Sequence, residues 1–149
     1  MSTVTYSQQE ILDKTEEWFV PVKIESKQNP DLAQLYQIIA TPTFLVLDPN
    51  RKVIHRSSGF LPPFEFTQLL RLMRATYEMN RRDYDQAISL LSLITEEALH
   101  LPLAAEALYH LGSAKYKKSG DFSDAVAEWR KIKLHFPSSP WFKKVEYAV

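Results

Sequence analysis

The stretch Ala40-Thr-Pro-Thr-Phe-Leu-Val-Leu-Asp-Pro49 decides how the first half of the chain folds. Within it, Thr43-Phe-Leu-Val-Leu47 is a continuous apolar run of the length of a buried strand. Asp48-Pro-Asn-Arg51 has the residue types of a reverse turn, and Lys52-Val-Ile-His-Arg-Ser57 follows as a second strand-like segment. The sequence therefore predicts a β-hairpin over residues 43–57.

The residues before the hairpin predict two short helices with a further strand between them. In Phe19–Glu25 apolar and charged residues alternate, which is typical of a strand with one buried face. Pro21 lacks the amide hydrogen that a ladder needs, so we expect an edge strand or the start of a strand. Ser7–Trp18 and Asn29–Tyr36 have helical spacing, and the second has a proline in its first turn.

This order of elements across residues 5–73 resembles the later part of the thioredoxin fold. Three segments match the pattern of that family: Phe19-Val-Pro-Val-Lys23, Asn29-Pro-Asp-Leu-Ala33 and the stretch Ala40–Pro49. The resemblance implies an incomplete α/β thioredoxin-like fold with three recognisable strands. The expected hairpin supplies two of these strands, and Phe19–Glu25 supplies the third.

The resemblance also implies a peptide-binding site at Ala40, Thr41 and Pro42. Pro42 takes the place of the family's cis-proline, which shapes a tight turn. In the family, the residue before that proline offers its main-chain groups to an extended peptide, so Thr41 has that role here. The alternative is that Pro42 only shapes the turn into a buried strand.

The chain contains no cysteine, although the resemblance is to a redox family. The family's Cys-x-x-Cys motif works because a helix N-terminus and a neighbouring thiol stabilise the reactive thiolate. We therefore expect no catalytic residue, no cofactor and no thiol–disulfide exchange by the chain as written. Cysteine-ligated metal sites are excluded as well.

The resemblance begins after the first strands of the family, one of which normally lies between Phe19–Glu25 and Thr43–Leu47. Without that strand, backbone groups at a sheet edge stay unpaired. Three explanations remain open: Ser2–Tyr6 forms a replacement strand, a partner chain supplies one, or the chain is a truncated form of a longer redox protein.

From Phe64 onward the spacing of apolar residues is helical, and part of it repeats. The segment Arg82–Ile94 aligns with Gly120–Ile132 at an offset of 38 residues, with aspartate, aromatic and alanine positions in common. The residues of the second copy and its flanks, Ala107–Pro137, resemble a tetratricopeptide unit. The resemblance implies α-helical tetratricopeptide-like hairpins, and we expect one of them over Leu103–Ser119 and Phe122–Phe136.

We therefore expect a thioredoxin-like domain in residues 1–75 and a helical region in residues 76–149, with the helix at residues 64–81 shared between them. One clear and one partial repeat are too few for a full concave groove. Both a packing role and partner binding remain open for these helices. Trp141 and Phe142 follow Pro140 near a final helix over Ser138–Val145, and we expect them to be candidate partner contacts.

Charge and composition exclude several other classes of function. Lysine plus arginine equal aspartate plus glutamate at 18 each, so we expect neither nucleic acid nor a membrane surface as a partner. No apolar run reaches the roughly 20 residues of a membrane span, and no signal peptide is visible, which gives a cytoplasmic default. The four histidines lack metal-ligand spacing, so we expect no metal.

The sequence thus favours a non-catalytic protein-interaction or scaffold module. The expected partner is a protein or peptide, or a second copy of the chain joined through the sheet edge. The alternative is the C-terminal portion of a thioredoxin-family oxidoreductase whose Cys-x-x-Cys motif is encoded upstream of Met1. An in-frame Trp-Cys-x-x-Cys just 5′ of the start codon favours that alternative.

Overall fold

The computed structural model describes residues 9–149, apart from the side chain of Glu10. In this part the chain is mostly helical and has one small antiparallel sheet. The elements are α1 (Gln9–Trp18), α2 (Pro30–Leu35), β1 (Thr43–Leu47), β2 (Val53–Ser58), α3 (Pro63–Arg81), α4 (Tyr84–Glu97), α5 (Leu103–Ser119), α6 (Phe122–His135), α7 (Pro140–Val145) and a 3₁₀ turn (Glu146–Ala148). No helix within residues 9–149 is both long and apolar enough to cross a membrane.

The chain divides into two compact units, residues 1–67 and residues 68–149. We call them the N-terminal unit and the helical unit. The division lies within α3 (Pro63–Arg81), about two helical turns before the boundary near residue 75 that the sequence predicts.

The predicted β-hairpin is confirmed. β1 pairs antiparallel with β2, from Thr43 opposite Ser58 to Leu47 opposite Val53, with a bulge between Val46 and Leu47. Asp48 closes the turn between the strands: its carbonyl accepts from the Arg51 amide at 2.9 Å and its carboxylate from the Lys52 amide at 2.9 Å. The turn therefore forms from local hydrogen bonds, as its sequence predicts.

The predicted strand at Phe19–Glu25 is wrong, because these residues form neither a helix nor a strand. Val20, Val22 and Ile24, expected on a buried face, are 91%, 75% and 51% exposed. A strand exists only when another strand pairs with it. In residues 9–149 the sheet consists of β1 and β2 alone, so nothing there pairs with this segment. The alternative filler Ser2–Tyr6 lies outside the described residues.

The helical unit confirms the repeat at an offset of 38 residues. Helices α4 and α6 both contain 14 residues, and their first residues, Tyr84 and Phe122, are 38 positions apart. Asp83 caps α4 by accepting from the Gln86 amide, and Asp121 caps α6 by accepting from the Ser123 amide. The residue before each cap has a positive φ and ends the previous helix. These residues are Arg82 before Asp83 and Gly120 before Asp121, and they occupy the same position in the two copies of the repeat.

The central helix of this unit is α5, which is buried on two sides. One apolar cluster joins α5 to α3 and α4 through residues such as Leu72, Leu91 and Leu111. A second cluster joins α5 to α6 and α7 through Leu108 and its neighbours. Many of the buried residues of α5 are small, which allows helices to approach from both sides: Ala104, Ala105, Ala107, Gly112 and Ala114.

Helices α5 and α6 approach each other closely at Gly112. A Cβ atom added to Gly112 would lie 2.7 Å from Trp129 Nε1 and 2.9 Å from the Ala125 carbonyl oxygen. The indole is fixed in place because Nε1 donates to the Tyr109 carbonyl at 3.1 Å. No side chain larger than hydrogen therefore fits at residue 112 unless the helices separate.

We predict that Gly112→Leu destabilises the helical unit by about 1–3 kcal/mol through overpacking. Thermal and urea unfolding followed by circular dichroism measures the loss. The control is Lys117→Leu, which adds the same side chain at an exposed position of the same helix. Equal melting temperatures for the two variants would show that the contact between α5 and α6 is wrongly described.

A buried carboxylate, Glu128, also joins α5 to α6. Its side chain is 5% exposed and accepts from Lys115 Nζ of α5 at 2.5 Å and from Lys131 Nζ at 2.7 Å. Burial raises the pKa of Glu128, but the hydrogen bonds and charges of the two lysines outweigh burial and hold that pKa below its ordinary value. The carboxylate is therefore ionised in the folded protein at neutral pH.

We predict that Glu128→Gln lowers the free energy of unfolding by about 1–2 kcal/mol at pH 7, because the hydrogen bonds to a charged carboxylate are lost. The loss stays moderate because both lysines are partly exposed to water, which screens their charge. Because the folded-state pKa is depressed, the contribution of Glu128 is complete above its ordinary pKa of 4.5 and is lost as the pH falls through the folded-state value. Urea unfolding from pH 7 to pH 3 measures the difference.

The matched control is Glu96→Gln, which removes a carboxylate at an exposed position of α4. We expect the gap between wild type and Glu128→Gln to close in acid. The assignment of a depressed pKa to Glu128 would be contradicted if the difference in unfolding free energy between wild type and Glu128→Gln stayed constant with pH. It would also be contradicted if Glu96→Gln showed the same difference.

Candidate protein-interaction site

The structure places the predicted peptide-binding residues Ala40, Thr41 and Pro42 on the segment that enters β1. The Thr41–Pro42 peptide bond is cis, as expected for Pro42. Ala40 and Thr41 are exposed and Pro42 is partly buried. The Ala40 carbonyl accepts from the Thr43 hydroxyl at 2.6 Å, and the Pro42 carbonyl accepts from the Gly59 amide at 2.9 Å.

Thr41 lies between these two occupied carbonyls. Its own amide and carbonyl make no hydrogen bond to another residue in the range 9–149. That Thr41 presents its main chain to an extended peptide stays a prediction, and no residue in the range 9–149 occupies those groups. The sheet supports this arrangement, since β1 pairs with β2 on one side and with no other strand of the described chain.

Two polar contacts that sequence reasoning missed hold this segment. The Arg56 guanidinium of β2 donates to the carbonyls of Tyr36 and Gln37, at 3.2 Å for Gln37, and so joins β2 to the end of α2. The Thr43 hydroxyl also lies 2.9 Å from the Ser58 hydroxyl across the hairpin. The Thr-Pro-Thr spacing could have indicated Thr43, but no local signal marks Arg56.

The end of α2 turns sharply so that its carbonyls face Arg56. Gln37 has a φ of 51°, in the left-handed region, where glycine is the usual residue. The Ile38 amide donates to the Ala33 carbonyl at 2.8 Å and the Gln37 amide to the Gln34 carbonyl at 3.0 Å. This hydrogen-bond pattern is a Schellman motif, and it leaves the carbonyls of Tyr36 and Gln37 for the guanidinium.

Exposed apolar side chains are concentrated in the same unit. Of the fourteen large apolar residues that are exposed in the described chain, seven lie between residues 20 and 47, and Ile39 is 98% exposed. Soluble monomers seldom expose many large apolar side chains together. The seven residues are Val20, Val22, Ile24, Leu32, Leu35, Ile39 and Leu47.

The other predicted contacts, Trp141 and Phe142, lie in the helical unit and are partly buried against its second cluster. The Trp141 ring is 5.1 Å from the Tyr109 ring, and Lys144 Nζ lies 4.1 Å from the centroid of Trp141. Both aromatic residues therefore help to fix α7 on α5. A partner contact through their remaining surface stays a prediction.

A charged groove lies where α3 and α5 end. It is lined by four cationic and two acidic residues and by Tyr84, and an ion pair between Lys118 and Asp85 crosses it. Cationic residues in the last turn of a helix are stabilised by its dipole. The charges of this groove are therefore explained by the helix ends at which they lie.

The buried carboxylates of residues 9–149 pair with neighbouring cationic side chains. Glu78 is buried in α3, where it pairs with Arg74 at 2.5 Å, one turn away on the same helix. Within residues 9–149 no three histidine, aspartate or glutamate side chains come together as metal ligands. The candidate functional site is therefore the N-terminal unit around Thr41 and its exposed apolar residues.

We predict that Arg56→Met lowers the stability of the N-terminal unit by about 1–2 kcal/mol, because the carbonyls of Tyr36 and Gln37 lose a charged donor. Amide exchange of residues 36–39 should accelerate. The control is Arg51→Met, since Arg51 is exposed at the hairpin turn and bonds there through its main chain. Unchanged exchange in Arg56→Met would show that the guanidinium does not hold the end of α2.

Compared with protein-family models, curated proteins and solved structures, the chain shows no match. The assignment of a function therefore depends on the residues of the site and on the physical arguments that they support.

Proposed function

We propose that this chain is a non-catalytic protein-interaction module whose N-terminal unit accepts an extended polypeptide of another chain as an additional strand. Two observations carry the proposal: large apolar side chains between Val20 and Leu47 are exposed, and the main chain of Thr41 has no hydrogen-bond partner among residues 9–149. Main-chain hydrogen bonds supply affinity in this mode of recognition, and alternate side chains supply specificity.

The thioredoxin-like interpretation of residues 1–75 supports the same proposal. In that family the residue before the cis-proline pairs with extended peptides, and Thr41 has its amide and carbonyl available for that role. A peptide strand that alternates apolar and polar residues would cover the apolar side chains and leave its polar face in water.

The helical unit has a supporting role in this proposal. Its two tetratricopeptide-like hairpins bury their apolar faces against each other through α5, with Leu108 and Ala107 fully buried. The unit therefore has a buried core of its own, although it also exposes large apolar side chains such as Leu134 and Tyr147. We propose that the helices act as a scaffold and that strand recognition belongs to the N-terminal unit.

The chain as written cannot carry out thiol–disulfide exchange, because exchange requires a thiolate and the sequence contains no cysteine. The alternative function, as part of a longer thiol–disulfide oxidoreductase, depends on the family resemblance. In that case, the added strand would belong to the same polypeptide. An in-frame Trp-Cys-x-x-Cys encoded upstream of Met1 would favour this alternative function.

We predict that random peptides displayed on phage and selected on the full chain will be enriched in sequences with alternating apolar residues. Their affinity should fall at least about tenfold, or about 1.4 kcal/mol, for the double variant Val22→Lys and Ile39→Lys. Fluorescence anisotropy with synthetic versions of the selected peptides measures this loss.

The matched control is the double variant Leu134→Lys and Tyr147→Lys, which places the same charges on two exposed apolar positions of the helical unit. It should bind the selected peptides like the wild type. The proposal would be wrong if selection enriched no such peptides, or if both double variants lost affinity equally.

A further inference from the structure

The segment Val20–Ile24 has one edge that is suited to pairing and one that is not. In an extended strand, successive residues direct their amide and carbonyl groups to opposite edges. The groups of Val20, Val22 and Ile24 therefore share one edge. The other edge contains Pro21, which has no amide hydrogen. Pairing is thus complete only through the edge of Val20, Val22 and Ile24.

This edge is complementary to itself. If two copies of the segment run antiparallel about a two-fold axis at Val22, Val22 lies opposite its own copy and Val20 lies opposite Ile24 of the other chain. Each of the three residues then exchanges both main-chain hydrogen bonds with its partner. All six β-branched side chains fall on one face, where cross-strand pairs stabilise a sheet.

Other registers are excluded by the neighbouring residues. Moving the axis to Lys23 would place the two lysines directly opposite each other, which is unfavourable. Moving the axis to Ile24 would require Ser26 and Gln28 as the strand partners of Val22 and Val20. The chain turns at these residues, because the Gln28 and Asn29 amides both donate to the Glu25 carbonyl at 3.1 Å.

Moving the axis to Pro21 would require Trp18 as the partner of Ile24. Trp18 is the last residue of α1, so its main chain belongs to a helix. The axis at Val22 is therefore the one register that pairs all three apolar residues and uses only residues between α1 and the turn at residue 26.

We infer that the segment Val20–Ile24 of the N-terminal unit pairs with the same segment of a second copy, so that the chain forms a two-fold dimer through these residues. This inference rests on the proposed function as a strand-accepting module, and it names the partner. Five residues per chain bury little area, so we expect the dimer to be in equilibrium with the monomer at micromolar concentrations.

Because the chain contains no cysteine, single cysteines give a direct test. In the proposed register the two Cα atoms at residue 22 are about 5.5 Å apart, within the range of a disulfide. Those at residue 20 are about 14 Å apart, because they are separated by four residues along the strand as well as by the distance between strands. Under oxidised glutathione, Val22→Cys should form covalent dimers at least about fivefold faster than Val20→Cys.

A mixture of Val20→Cys and Ile24→Cys should cross-link as the opposite pair that the register requires. Equal rates for Val22→Cys and Val20→Cys, or no cross-linking at residue 22 at concentrations where the wild type is dimeric, would overturn the register. A wild type that sediments as a monomer throughout the micromolar range would overturn the dimer.

Two proline variants test the pairing edge without a thiol. Val22→Pro removes an amide from the pairing edge, and Lys23→Pro removes one from the opposite edge. Sedimentation should show that Lys23→Pro still forms the dimer and that Val22→Pro is monomeric; equal behaviour of the two would contradict the inference. If selected peptides bind but Val22→Cys does not cross-link, the strand-accepting function stands and its partner is another protein.

Discussion

The constraint on which the N-terminal unit depends is that backbone amides and carbonyls need hydrogen-bond partners. β1 and β2 satisfy part of this need by pairing with each other, and the carbonyls of Ala40 and Pro42 are occupied by Thr43 and Gly59. Thr41 and the segment Val20–Ile24 obtain no strand partner within the described chain. The described part of the unit therefore combines main-chain groups without a strand partner with exposed apolar side chains.

The helical unit meets the same constraint locally. Helices satisfy their main-chain groups internally, and their ends are capped by nearby residues such as Asp83 and Asp121. The stability of the unit also requires that the helix faces pack together. This packing depends on the close approach of the helices at Gly112 and on large neighbouring side chains such as Trp129. Its stability thus does not require another chain, which suits a scaffold.

Sequence reasoning succeeded where short-range rules determine the structure. The turn at Asp48–Arg51 and the helices of the repeated segments follow from local residue types and spacing, and both are present. The segment Phe19–Glu25 has a strand pattern, but a strand depends on a distant partner that the pattern cannot supply. Thr41 was identified through a family resemblance, whereas Arg56 was missed because the carbonyls it binds lie 19 and 20 residues away.

The account makes one central claim, that the N-terminal unit has an unfinished sheet completed by a strand of another chain. Residue-resolved amide exchange by NMR tests it most directly, at protein concentrations from well below to well above the association range. The account predicts that the amides of Val20, Val22, Ile24 and Thr41 exchange rapidly in the dilute chain, and that those of Val20, Val22 and Ile24 become protected as the concentration rises. Slow exchange of these amides in a strict monomer would contradict the account, because the sheet would then be complete without a partner.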